Sequence, residues 1–287
     1  MLFVTIKGKN YKLNKCTNSS FKSLNDLNGL KMLFKVILSN CNNKYKIEAL
    51  EPYLKALNGS FSNVYGYKDH NIKKNLYKTF ISFIINEYSL KDVKLNNTNS
   101  KLGKKTITIN FNEWISCNNR LNGSCPYSNC CYDLKASCQY TYAVVLNALK
   151  NKYLLLKDTK GLLNRFIYLL NNTKKGKSIK TVRFNSRGDF NDLNELIFSL
   201  KLSNALKDSK KCYTYTKSFR MVNGYYINHK DSFKYLVFNE SVENGLIFKS
   251  NTYLVTTDKN KVTCLCNCNE CNKCKVLTSK TNYVLLH

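Results

Sequence analysis

The sequence predicts an α/β chain: an incomplete barrel or open parallel sheet with flanking helices, preceded by a mainly helical module. Three observations predict it. Residues 179–216 run strand, loop, helix, strand, which is a βαβ unit and implies a parallel pair with a right-handed crossover. Thr106-Ile-Thr-Ile-Asn-Phe111 alternates cleanly, as a strand does. Residues 1–95 instead carry apolar side chains at helical spacing.

Taken in order, residues 1–13 predict a short hairpin about a Gly8-Lys-Asn turn. Ser19 or Ser20 is placed to cap a helix carrying Leu24, Leu27, Leu33 and Ile37. A second helical pattern runs from Ile47 to Leu57, ending at Gly59. A third, capped by Asn71, puts Ile72, Leu76, Phe80, Phe83 and Ile84 on one face. The polar stretch from Asn96 to Lys105 is the expected boundary. It divides a basic, helical module over 1–95 from a cysteine-rich α/β domain over 96–287.

After the 106–111 strand comes a turn-rich loop with Cys117, Cys125, Cys130, Cys131 and Cys138 in or near it. A helix is expected from Leu134 through Tyr153, and another after a cap at Asp158. Ile179 to Phe184 reads as a buried strand and Asn185 to Phe190 as a loop. Asp192 and Glu195 form a D-x-x-E capping box for a helix through Leu206. Lys211 to Thr216, Tyr235 to Phe238 and Thr252 to Thr256 are the remaining expected strands.

The chain has 287 residues and 43% apolar content, enough for a core. No apolar run approaches the roughly 18 residues of a membrane-spanning helix, so no membrane partner is expected. The first residues, Met1 to Lys7, are too short and too strand-like for a secretion signal. Thirteen cysteines in such a chain point to metal ligation, or to free thiols, before disulfides. The net charge of +28, from 46 basic and 18 acidic residues, attracts polyanions, of which nucleic acid is the commonest. The same Lys-rich composition is also what an AT-rich genome writes into any protein.

The densest cysteine stretch is Cys264-Leu-Cys-Asn-Cys-Asn-Glu-Cys-Asn-Lys-Cys274. Cys264, Cys268 and Cys271 follow a C-x3-C-x2-C spacing, and Cys274 adds one x2 step. Thiolates this close suit tetrahedral zinc or an iron–sulfur cluster. With Cys125, Cys130 and Cys131, they are the expected metal ligands.

Sites in parallel α/β folds lie at the C-terminal ends of the strands. That rule selects three places: Asn185, Ser186, Arg187 and Asp189, with Gly188 among them, after one strand; Thr216, Lys217 and Ser218 after the next; and the cysteine loop after the 106–111 strand. Asp189 could hold a ligand hydroxyl or amine, and Arg187 and Lys217 a carboxylate or phosphate. The plainer alternative has Asp189 capping the next helix and Arg187 pairing with it. The three histidines, His70, His229 and His287, lie outside these clusters, so a Ser–His–Asp triad and a two-histidine iron site have no support. No phosphate-binding G-x-x-x-x-G-K-[ST] loop is present.

These motifs, in this order, resemble the phage gene product 88 family. The carrying residues are Asn99 to Gly103, Cys125-Pro, Cys131-Tyr-Asp-Leu-Lys135, Val182 to Phe190, Tyr215-Thr-Lys-Ser218 and the spaced cysteines Cys264, Cys268, Cys271 and Cys274. The resemblance covers about 96–280. Three departures stand out: a compressed cysteine loop with Cys130 and Cys131 adjacent, Asp133 where the family has Ala after Cys-Tyr, and an extra Arg before Gly188. The resemblance implies a phage or prophage protein working in the bacterial host cytoplasm. The cysteine loop and α/β units are also similar to radical S-adenosylmethionine enzymes, where three cysteines hold a [4Fe–4S] cluster beside the cofactor. That likeness implies an iron–sulfur enzyme, for which the positive charge suggests nucleic acid or nucleotide as substrate; the strand-end residues Asp189, Arg187 and Lys217 are then the catalytic candidates, with Asn185, Ser186, Gly188 and Tyr215 around S-adenosylmethionine. The competing expectation is a zinc-stabilised, non-catalytic protein that binds nucleic acid. Neither fixes the oligomeric state.

Overall fold

The structure is a computed structural model and describes residues 2–6, 9–13, 17–21, 26–59, 61, 68–95, 102–125, 131–240, 245–256, 258–263, 273–278 and 281–285. Strands β1 (Leu2–Ile6) and β2 (Lys9–Leu13) pair antiparallel, with Ile6 opposite Lys9. Lys9 and Asn10 are therefore strand, and the connection is shorter than the expected turn.

Helix α1 (Leu27–Ser39) is capped by Asp26, whose Oδ2 accepts from the Gly29 N–H at 2.7 Å. Ser19 and Ser20 instead lie in a separate 3-10 turn, Asn18–Phe21. The carboxylate beside the first helical residue wins the cap that the serines were expected to take. Helix α2 (Lys44–Leu57) is capped by Asn43. Helix α3 (Asp69–Ile85) begins two residues before the expected Asn71 cap.

The remaining elements are β3 (Thr106–Ile109), α4 (Asn118–Leu121), α5 (Tyr132–Gln139), α6 (Thr141–Lys157), α7 (Thr159–Asn172), α8 (Lys174–Ser178), β4 (Thr181–Phe184), α9 (Leu193–Ala205), β5 (Lys211–Thr216), α10 (Phe219–Asn228), β6 (Val237–Glu240), β7 (Asn251–Thr256) and β8 (Thr281–Leu285). The single helix expected from Leu134 to Tyr153 is two, broken at Tyr140. Asp158 caps α7 as expected, accepting from Gly161 N–H at 2.8 Å. Strand β8 was not anticipated.

Helix α3 packs against α1 and α6, and α2 against α6, so one apolar core runs from the N-terminal helices into the α/β part. Lys46 is buried at this junction. Its ammonium donates to the Ile84 and Asn86 carbonyls, both at 2.8 Å, and lies near the Tyr88 and Tyr153 rings. Those partners replace the water it has lost.

Strands β3 to β8 form one parallel sheet in sequential order. Right-handed crossovers that always step the same way put their helices on the same face. The sheet is open, with β3 and β8 as its two edges. Ile107, Ile109, Val182, Phe184, Cys212 and Phe238 belong to the apolar core, on the helix side. The alternate positions make the other face polar and aromatic: Thr108, Arg183, Tyr213, Tyr215, Asn239, Asn251, Tyr253 and Asn282. No helix among the described residues is long and apolar enough to cross a membrane.

Candidate functional site

Three loops leave the C-terminal ends of β3, β4 and β5, and their polar side chains interlock. After β3 the chain reads Asn110-Phe-Asn-Glu113, and all three polar residues are buried. Asn110 Oδ1 accepts from Ser186 Oγ at 3.1 Å and from the Arg187 N–H at 3.2 Å. Asn112 Oδ1 accepts from the Asp189 N–H at 3.0 Å, and its Nδ2 donates to the Asp189 carbonyl and to Glu195 Oε2. The two asparagines thus shape the β4 loop from the neighbouring strand.

Gly188 is required there. Its φ is +63°, and a Cβ would stand 1.9 Å from Asn112 Oδ1. Asn185, just past β4, also has a left-handed backbone, with φ 49°, and is only 2% exposed. Its side-chain Nδ2 is buried and has no hydrogen-bond partner among the described residues. A buried donor on a left-handed residue at a strand end makes Asn185 a candidate ligand contact.

Asp189 is the junction of the three loops. Oδ1 accepts from the Phe190 N–H at 2.7 Å and from Thr216 Oγ1 at 2.8 Å. Oδ2 accepts from Asn119 Nδ2 at 3.0 Å and from the Lys217 N–H at 2.5 Å. Burial nevertheless pushes its carboxyl above the ordinary value, against the pull of those donors. With four protein donors on two oxygens, Asp189 positions the loops. It does not cap α9: that role falls to Asp192, which accepts from the Glu195 N–H at 3.1 Å. The reciprocal arm of the box is displaced, because Glu195 Oε2 accepts from the Asn191 N–H at 2.8 Å.

Arg187 does not pair with Asp189 either. Its Nη1 lies 3.4 Å from Asp133 Oδ1, and Asp133 Oδ2 accepts from the Trp114 N–H at 2.7 Å. Arg187 and Asp133, two of the departures noted above, therefore meet each other. The pair ties the start of α5, and with it Cys131, to the β4 loop.

The cysteine loop lies against the same junction. Asn119, on α4, bridges Asp189 and Ser218 Oγ, and its carbonyl accepts from the Cys125 N–H at 2.8 Å. Cys131 stands at the N-terminus of α5. Burial pushes its thiol up to about 11, the nearby Asp133 and Cys125 add to that, and the Lys217 charge opposes it. Cys117 is pushed up to about 12, by burial first and then by Asp189. Cys117, Cys125 and Cys131 are thus near enough to feel one another or the same neighbours.

From the other end of the chain, Cys274 reaches the polar sheet face. Its Sγ is 2.8 Å from Tyr215 Oη. Asn239 and Asn251 hold this segment down: Asn239 Nδ2 donates to the Cys274 carbonyl at 3.2 Å, and Asn251 Nδ2 to the Lys273 and Val276 carbonyls at 3.2 and 3.0 Å. Asn251 Oδ1 accepts from the Thr278 N–H at 2.8 Å. Around Tyr215, Arg183 lies 5.0 Å from the ring centroid and Tyr253 packs edge-on.

Of the expected metal ligands, Cys125 and Cys131 lie by the strand-end loops, and Cys274 lies on the polar sheet face against Tyr215. Cys130, Cys264, Cys268 and Cys271 lie outside the described residues. Among the described residues, no three His, Cys, Asp or Glu side chains form a metal-binding group. Asn110, Asn112, Asn239 and Asn251 were not anticipated. Their signal is asparagine inside or directly after a strand, where strand propensity disfavours it.

A buried charge network braces the junction from behind. Lys152, on α6, donates to Glu195 Oε1 at 2.7 Å and closely to Asp192. Burial, offset by Lys152, leaves the Glu195 carboxyl up at about 7, above the model-compound 4.5. The folded state therefore holds a proton that the unfolded state releases, and stability falls as pH rises from about 4.5 to about 7. Glu195→Gln is expected to flatten part of that fall in urea midpoints measured at pH 4.5, 6 and 7.5. An unchanged slope would mean that Glu195 is ionised throughout.

A family model described as Gene product 88 matches residues 90–244, just over half of the chain. The match includes the three loops and the first cysteine group and ends before Cys264. No curated protein and no solved structure gives a significant match.

Proposed function

The chain belongs to the gene product 88 family, a phage family, and from that premise we propose a cysteine-ligated iron–sulfur enzyme of radical S-adenosylmethionine type, acting on nucleic acid or nucleotide. One observation carries the reading. Cys274 contacts Tyr215 in the C-terminal half of β5, and Cys131, at the start of α5, is near enough to Lys217 to feel its charge, on an open parallel sheet whose strands follow in sequential order. That is where a parallel α/β fold places its chemistry.

The donor set fits such a centre. Thiolates are the ligands that hold iron–sulfur clusters. The high thiol values of Cys117 and Cys131 describe neutral sulfur, so loading must release protons and should strengthen with pH. When bound, the cluster supplies one-electron chemistry. The chain's own residues bind and orient. Asn185 offers a buried amide donor, Lys217 a positive charge beside Cys131, and Arg183 with Tyr215 and Tyr253 a cationic, aromatic floor. Asp189 keeps the three loops in register, while Gly188 lets the backbone approach.

The test is iron and acid-labile sulfide content of protein purified without oxygen, with its visible spectrum. The expected result is a brown protein with both, whose colour bleaches on reduction. A colourless protein with stoichiometric zinc and no sulfide overturns the reading. It would point to a zinc-stapled, non-catalytic protein that binds nucleic acid through its charge.

A further inference from the structure

At the opposite, N-terminal edge of the sheet lies a second concave feature. It is a cavity of about 480 Å³ lined by Lys105, Lys180, Lys207, Lys210, Lys211 and Lys275, with Asp208 as the acidic side chain in its wall. The register explains the crowding. Thr106 pairs with Thr181, and Thr181 with Lys211. One residue earlier, Lys105, Lys180 and Lys210 therefore stand abreast on three neighbouring strands, about 4.8 Å apart. Their backbones are fixed: the Lys105 carbonyl accepts from the Lys180 N–H at 2.8 Å, and the Lys180 carbonyl from the Lys211 N–H at 3.0 Å. Like charges directly abreast on a sheet destabilise it. Burial, and then the Lys180 charge, hold the Lys210 ammonium below its ordinary value.

We propose that this lysine-lined cavity binds the phosphodiester backbone of nucleic acid. Three features favour that ligand. The cations are all lysines, point charges suited to phosphate without base-specific forks. The lining holds no aromatic side chain, so nothing in it stacks a base. Several fixed cations in a row match a ligand that repeats its negative charge. The site shares its substrate class with the function proposed above; its wall residue Lys275 directly follows Cys274, so the site variant below leaves Lys275 in place and alters only lysines at the N-terminal strand ends and on the loop after α9. The two can fail separately.

The experiment uses the full chain and a fluorescent 20-nucleotide single strand, with anisotropy titrations at graded salt. The site variant is Lys180→Glu, Lys207→Glu and Lys211→Glu together. The control is Lys31→Glu, Lys35→Glu and Lys55→Glu, exposed lysines on the N-terminal helices that change net charge equally. The site variant is expected to bind at least 10-fold more weakly and to lose about two units of salt slope, at roughly 0.7 per phosphate contact. The control should stay within about twofold. Circular dichroism and metal content should be unchanged in both. Equal losses in the two variants would overturn the site, as would an unchanged site variant. Full displacement of the oligonucleotide by inorganic tripolyphosphate at matched charge would also overturn it, in favour of a small polyphosphate.

Discussion

Asp189→Ala is expected to lower stability by about 4 kcal/mol, a shift of roughly 10 °C in the unfolding midpoint. Two effects oppose each other at this side chain. Burial of a carboxylate is costly, which is why its pKa is raised, and alanine removes that cost. Against it, alanine strands four donors: the Phe190 and Lys217 N–H groups, Thr216 Oγ1 and Asn119 Nδ2. Each buried donor left without a partner costs about 1–3 kcal/mol, and water can reach some of them. The donors win on that count. Asp189→Asn separates the charge from the geometry. It keeps the shape but turns one oxygen into a donor facing donors, so an intermediate loss of about 2 kcal/mol is expected. Urea unfolding of both variants at pH 6 measures this. A loss under about 1 kcal/mol for alanine would mean that the three loops hold their places without Asp189.

The strands and the place of the site were legible because they rest on local signals. The Thr106–Phe111 alternation, the apolar run before Phe184 and the Lys211–Thr216 segment each announce a strand, and their order announces a parallel sheet. Once the strands are set, the strand-end rule selects 185–189, 216–218 and the cysteine loop as the candidate site without further information. What stayed hidden is held by partners distant in sequence. Asn112 reaches Asp189 and Glu195 across more than 70 residues, and Asn251 reaches Val276 across 25. A local reading sees only an asparagine where a strand residue should be. The same limit explains the caps. Asp192 was read correctly, since its partner Glu195 is three residues away, but the returning bond shifted to Asn191 under the pull of the Asn112 and Lys152 network. Arg187 was expected to find Asp189, its near neighbour, and finds Asp133 instead, on a helix set by another strand.

Cys131→Ser and Cys274→Ser are each expected to lower metal content at least tenfold, with the double variant no lower than either single one. The argument is one of placement. Cys274 bonds Tyr215, and Cys131 lies in the field of Lys217, two residues further along the same chain. Two residues of extended chain span roughly 7 Å. A centre shared by thiols from the two ends of the domain is the arrangement these variants test. A shared centre loses its integrity with either ligand, so the second loss adds little. Two independent centres behave differently: each single variant would lose its own metal and keep the other, and the double would lose both. If Cys274→Ser left the metal intact while Cys131→Ser removed it, the C-terminal segment would be a lid over the polar face and not a ligand. Tyr215→Phe sharpens the comparison. It keeps the ring against Arg183 and Tyr253 and removes only the hydroxyl that holds the Cys274 sulfur. With a shared centre, Tyr215→Phe should retain most of the metal, because the thiolate is then held by the metal itself.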